Sequence, residues 1–267
     1  MWGGRNVTRQ VRGSVPWRAA LVGGVLGLAI AAVSFAPAQW LAAVLRSVTH
    51  EQLVLLETRG TVWNGSGRLV LTGGAGSQDV TALPGRIDWQ LRPAALGMKA
   101  QVHADCCTSV PVSAVVTARW GGVRVSVLDG ASQWPAALLT GLGTPWNTVQ
   151  AQGNLQLVTT GLALDWAEGQ AFLAGTAELT ASNMSSRLST LKPMGSYRIL
   201  LTGGAATGFV LTTLEGSMQL SGSGRWVGSR LRFEGVASAA PEHEAALANL
   251  LNIIGRRSGA RSIISLG

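Results

Sequence analysis

The chain has 267 residues, of which 47% are hydrophobic and 13% charged. That is too apolar for a disordered protein, and 35 glycines with many polar interruptions make it too broken for a protein crossing a membrane many times. The net charge of +8 divides unevenly: residues 1–46 hold five arginines and no acid, the remaining 221 residues contribute only +3, and no basic stripe interleaved with aromatics argues for nucleic acid.

Arg5, Arg9, Arg12 and Arg18 precede 27 consecutive uncharged residues, Ala19 to Leu45. The most apolar part, Ala19 to Ala36, would span roughly 27 Å as a helix, close to a hydrocarbon core. Trp17 and Trp40 stand near its ends, where amphipathic rings prefer the interface, and the preceding arginines orient the N-terminus to the cytoplasm. The expected organisation is a cytoplasmic basic tail (1–18), a transmembrane anchor and membrane exit (19–45), and an exported, periplasmic β-rich domain (46–267). A cleaved signal peptide is the rival, with Ala36-Pro37-Ala38 as its site, although the apolar run exceeds the usual 7–15 residues. Both readings export the domain. In an oxidising compartment the adjacent Cys106 and Cys107 admit a vicinal disulfide or two small thiols beside a strand. Neither makes a redox motif or a zinc cluster.

From about residue 50 the dominant period is two. Arg86-Ile87-Asp88-Trp89-Gln90-Leu91-Arg92 places Ile87, Trp89 and Leu91 on one face and polar residues on the other, the pattern of a half-buried strand. Arg68–Leu71, Val123–Val127, Asn154–Leu157 and Arg230–Phe233 repeat it. Gly73-Gly74, Gly121-Gly122 and Gly203-Gly204 mark turns. About a dozen short strands so spaced predict an antiparallel sheet, as one long curved sheet or a sandwich. Two helical segments interrupt it. Trp134 to Leu142 is short and contains a proline. Pro241 to Ile254 has Pro241 in its first turn, Glu242 and Glu244 at the positive end of its dipole, and Gly255 as its stop. Its Leu247, Leu250, Leu251 and Ile254 form one apolar stripe, which either docks on the sheet or binds a partner. Arg261 to Leu266 reads as a last strand. Gly60–Arg68 and Gly216–Arg225 echo each other around a Gly-Ser-Gly, through duplication or through the free reuse of Gly-Ser-Gly in hairpins.

No catalytic constellation assembles in this sequence. His50, His103 and His243 are isolated, without metal-ligand spacing, and no G-x-S-x-G frames a nucleophile. Asp165 with Glu168, or Asp88 alone, read as solvated carboxylates rather than as an acid and a base. Neither a cofactor nor a metal is expected. Trp63, Trp89, Trp120, Trp166 and Trp226 are expected to fill the core, the alternative being a groove for a partner or lipid.

The C-terminal stretch Arg232-Phe233-Glu234-Gly235, Ala239-Ala240-Pro241-Glu242, Ala245 to Arg257 and Ala260 to Gly267 resembles the ending of the type II secretion system protein N family. Gly60 to Gly65 and Leu83 to Leu91 are similar to that family's first blocks, and the single N-terminal anchor and the length also fit. The resemblance implies a non-enzymatic, bitopic inner-membrane accessory of the apparatus that moves folded proteins through an outer-membrane secretin. It implies contacts with other inner-membrane components, with the secretin as a further candidate, and no catalytic residues. Beside it stands an envelope lipid-binding protein with an apolar β-groove, and, further off, a periplasmic hydrolase.

Overall fold

The computed structural model describes residues 17–267 apart from Glu168 and Ser229. All but the end of the expected 1–18 tail lies outside the described residues. Two compact units divide between Ala36 and Pro37. The first contains helix α1 (Trp17–Ser34), whose side chains, Leu21, Val25 and Leu28 among them, are exposed. Among the described residues no helix is long and apolar enough to cross a membrane.

The second unit opens with helix α2 (Ala38–Val48), so the uncharged run of residues 19–45 does not form a single helix. Pro37, extended at φ −68° and ψ 147°, cannot donate a backbone hydrogen bond and so separates the helices. Unlike α1, α2 is two-sided: Ala38 is buried and Leu41, Ala42 and Leu45 pack against the sheet.

Eight strands follow, β1 (Leu53–Gly60), β2 (Asn64–Thr72), β3 (Val80–Ala82), β4 (Ile87–Ala94), β5 (Gly97–Ala104), β6 (Val112–Arg119), β7 (Gly122–Val127) and β8 (Gly130–Pro135). A 3-10 helix (Ala136–Leu142) and a single helical turn, α3 (Trp146–Val149), lead to the long hairpin of β9 (Gln152–Ala167) and β10 (Gln170–Ser185). Then come β11 (Gly195–Thr202), β12 (Gly208–Gly216), β13 (Met218–Val227) and β14 (Arg230–Ala239), a 3-10 turn (Pro241–His243), helix α4 (Glu244–Ile254), β15 (Arg256–Ser258) and β16 (Arg261–Leu266). The described strands join one 16-stranded sheet in the order β1-β2-β4-β5-β6-β7-β9-β10-β11-β12-β13-β14-β16-β15, with β3 beside β2 and β8 beside β9. Every pairing is antiparallel, and continuous hydrogen bonding decides against two separate sheets. β7 and β8 share one partner: β7 takes Ala163–Ala167 of β9 and β8 takes Asn154–Thr159.

Register carries one apolar face from strand to strand, through Leu55 and Leu69, Trp89 and Val102, Val116 and Val125, Ile199 and Leu211, and Leu220 and Ala237. Three clusters of side chains cover it. α2 and Leu138 of the 3-10 helix close the first over Leu55, Ile87 and Trp89. Ala136 and Leu139 close the middle one over Leu155, Leu179 and Tyr197. α4 closes the third over Met218 and Ala237. Trp134 belongs to the first two, and Val149 and Leu220 to the last two, so the core is continuous.

Both Gly-Ser-Gly segments perform the same packing task. Gly65 is paired with Trp89, whose ring lies so close that a Cβ at 65 would meet Cζ2 at 2.6 Å. Gly224 faces Phe209, and Gly222 and Gly235 face the ring of Phe233. Phe209 and Phe233 stack with centroids 5.4 Å apart, and Trp226 meets Phe209 edge-on at 6.1 Å. The echo between Gly60–Arg68 and Gly216–Arg225 thus has a physical basis: bare backbone on the inner face seats an aromatic ring from the next strand.

Candidate functional site

The residues singled out in the sequence are dispersed. Leu247, Leu250 and Leu251 are completely or almost completely buried, and Ile254 packs beside them. The stripe of α4 is therefore turned into the protein's own sheet; its exposed residues include Asn249, Asn252 and Ile253. Cys106 and Cys107 are joined by a disulfide in the turn between β5 and β6. Cys107 is in the core, and its carbonyl accepts a hydrogen bond from the Gln133 N–H of β8 at 2.8 Å. Thr108 fastens the same turn, its hydroxyl accepting from the Ala104 N–H at 2.8 Å. Through these bonds the turn ties β5 to β8.

Asp165 is clamped across β7–β9 by both Nε and Nη2 of Arg124. That hydrogen bonding, with the charges of Arg124 and Arg119, holds its carboxyl below the ordinary carboxylate range. It is thus a strand-pairing group held ionised, the opposite of a general acid. Glu168 lies outside the described residues, and Asp88 is exposed on β4. The histidines stay apart; His103 Nδ1 is 3.0 Å from the Thr108 hydroxyl. Among the described residues no group of three or more His, Cys, Asp or Glu could hold a metal.

The tryptophans correct the sequence reading. Trp89 is core, at 3% exposure, with its indole N–H donating to the Val62 carbonyl at 3.1 Å. Trp120, Trp166 and Trp226 are exposed, the last two at 55% and 42%, and Trp63 is half-buried. Trp166 and Trp226 point to the same apolar face as Trp89, as their pairing with Val123 and Leu231 shows. They sit at the opposite ends of their strands, beyond the helices. The inner face is therefore covered at one end of the strands and open at the other, where Val123, Leu164, Trp166 and Trp226 line it. The sheet also has two terminal strands, β1 and β15, each paired on one side only among the described strands. On the outer face an open cavity of about 570 Å³ lies across β11 to β14, bounded by Leu200, Val210, Arg225, Arg232 and Glu234.

The described residues thus form a broad antiparallel sheet with one half-covered apolar face and two terminal edges. The family model described as type II secretion system (T2SS), protein N matches residues 51–264, and the chain belongs to that family. The match begins between α2 and β1 and ends within β16, so it takes in almost the whole sheet. No curated protein and no solved structure matches the chain. Family membership makes it an accessory subunit of type II secretion, a system of protein transport associated with the cell envelope, and implies interaction with other components of that system.

Proposed function

We propose that the protein is a non-enzymatic assembly subunit of the type II secretion machine, held in the inner membrane by its N-terminal segment with the sheet in the periplasm. The carrying observation is the family match across nearly the entire sheet. Residues 19–36 supply the anchor and the arginines before them its orientation. The sheet binds inner-membrane platform subunits, and the secretin, by accepting a partner strand at β1, where backbone groups are available on one side. Deleting the protein should lower secretion of folded exoproteins without stopping their export across the inner membrane. A photoreactive residue at Val54 or Leu56 of β1 should crosslink in cells to platform or secretin subunits. Normal secretion and normal machine assembly in the deletion strain would refute this role.

The open half of the inner face favours a second reading, an envelope lipid binder that lays acyl chains against Leu164, Trp166 and Trp226. Stoichiometric lipid in the purified protein, lost in Leu164→Asp, would support it.

A further inference from the structure

The meander places the hairpin turns of β4–β5, β6–β7, β9–β10, β11–β12 and β13–β14 at one end of the strands, with α2, the 3-10 helix and α4 packed over the other. The tips at the free end carry large apolar side chains that remain exposed. Leu96 and Trp120 stand exposed on the first two turns, Trp166 and Phe172 flank the third, and Trp226 and Val227 flank the last. A soluble domain that met only water would gain nothing from tryptophan at three of its hairpin ends or shoulders, and such an array marks a contact surface.

Arg92, Arg119, Arg225 and Arg230 are exposed on these same hairpins. Of the nearby acids, Asp165 is already bound by Arg124. The helix-bearing end carries charges of both signs, with Glu51 paired to Arg46 and Glu244 to Arg257. Indole rings beside guanidinium groups suit the boundary of an anionic bilayer, where the ring occupies the headgroup level and the cation meets lipid phosphate.

We infer that the hairpin tips around Leu96, Trp120, Trp166 and Trp226 form a docking surface for an anionic lipid bilayer, which sets the sheet upright with its helices away from the membrane. This orientation is separate from the secretion role and is tested without it.

The test uses the full chain in nanodiscs of zwitterionic lipid with or without an anionic phospholipid. A single cysteine carrying an environment-sensitive fluorophore is placed at an exposed tip (Trp120→Cys or Leu96→Cys) or at an exposed site of the other end (Val110→Cys or Trp146→Cys). Brominated lipids should quench the label at 120 and 96 in anionic discs and leave it unchanged at 110 and 146. Adding Arg92→Gln and Arg119→Gln should reduce quenching at 120 to the level seen at 110. Absence of quenching at both tips in discs that carry the protein overturns the proposal, and so does equal quenching at all four sites. Quenching at the tips that is indifferent to anionic lipid overturns the assignment of the arginines.

Discussion

Replacing Gly65 with alanine tests the seating of an aromatic ring on bare backbone. The added carbon would lie 2.6 Å from the Arg59 carbonyl oxygen, 2.6 Å from Trp89 Cζ2 and 2.9 Å from the Thr61 carbonyl oxygen. Two of the three obstacles are backbone, so no rotamer change relieves them, and the third is a ring in the core whose N–H is already used. Overpacking of this kind costs about 1–3 kcal/mol, and loosening the indole hydrogen bond adds about 1 kcal/mol. Lower freedom of the unfolded chain returns about 0.4–1 kcal/mol, leaving a net loss of roughly 2–3 kcal/mol. For a domain of this size that lowers Tm by roughly 4–12 °C. Gly67 is the internal control: its nearest contacts would be the Leu56 carbonyl at 3.3 Å, Thr58 Cγ2 at 3.4 Å and Trp89 Cζ3 at 3.5 Å. Gly67→Ala should stay within about 0.5 kcal/mol of the native protein. Thermal unfolding of the full chain in detergent, followed by circular dichroism, measures both. In a Trp89→Ala background the cost of Gly65→Ala should shrink but not vanish, because the carbonyl contacts remain. Equal losses at 65 and 67, or a Gly65→Ala protein as stable as the native one, would refute the reasoning.

Two further outcomes follow from polar groups. The Arg124–Asp165 clamp depresses the aspartate pKa, so its contribution is present above the ordinary carboxylate value of about 4 and lost as pH falls through the depressed one. Arg124→Gln should therefore unfold more readily than the native chain at pH 7, and denaturation midpoints should converge in acid; a gap independent of pH would disprove the electrostatic cause. The Ser262 hydroxyl is completely buried with no hydrogen-bond partner among the described residues, so Ser262→Ala should be neutral or stabilising by about 1 kcal/mol, and a clear loss in urea unfolding would mean that the hydroxyl is bonded.

Much of the sheet is legible in the sequence because alternation reports which face a residue occupies. Ile87 and Trp89 are buried while Asp88 and Gln90 are exposed, and the last strand and the helix stopped by Gly255 lie where the pattern puts them. Position along a strand is a different matter. Trp89 and Trp166 share a face, yet one is covered by α2 and Leu138 and the other by nothing, and the covering residues lie tens of positions away in the chain. No local period encodes that, so the exposed tryptophans read as core. Helix α2 is hidden for another reason: its residues continue an uncharged run, and only Pro37 announces the break. The Cys106–Cys107 bond is one of two possibilities that the sequence leaves open, and the structure has it formed. Helix α4 begins at Glu244, later than Pro241, because the proline opens a 3-10 turn first.

The strand order, which follows chain order almost throughout, has a consequence for how the molecule is made. A nascent polypeptide emerges N-terminus first, and here nearly every new strand finds its neighbour already out and paired. The sheet can lengthen strand by strand as residues become available, with one growing edge exposed at a time. β3 and β8 depart from this, lying off the path beside β2 and β9, as does the close of the chain, where β16 pairs with β14 and leaves β15 outside. Late-emerging α4 then covers strands that had waited for it, so the stretch from Glu244 onward decides when the product stops being sticky.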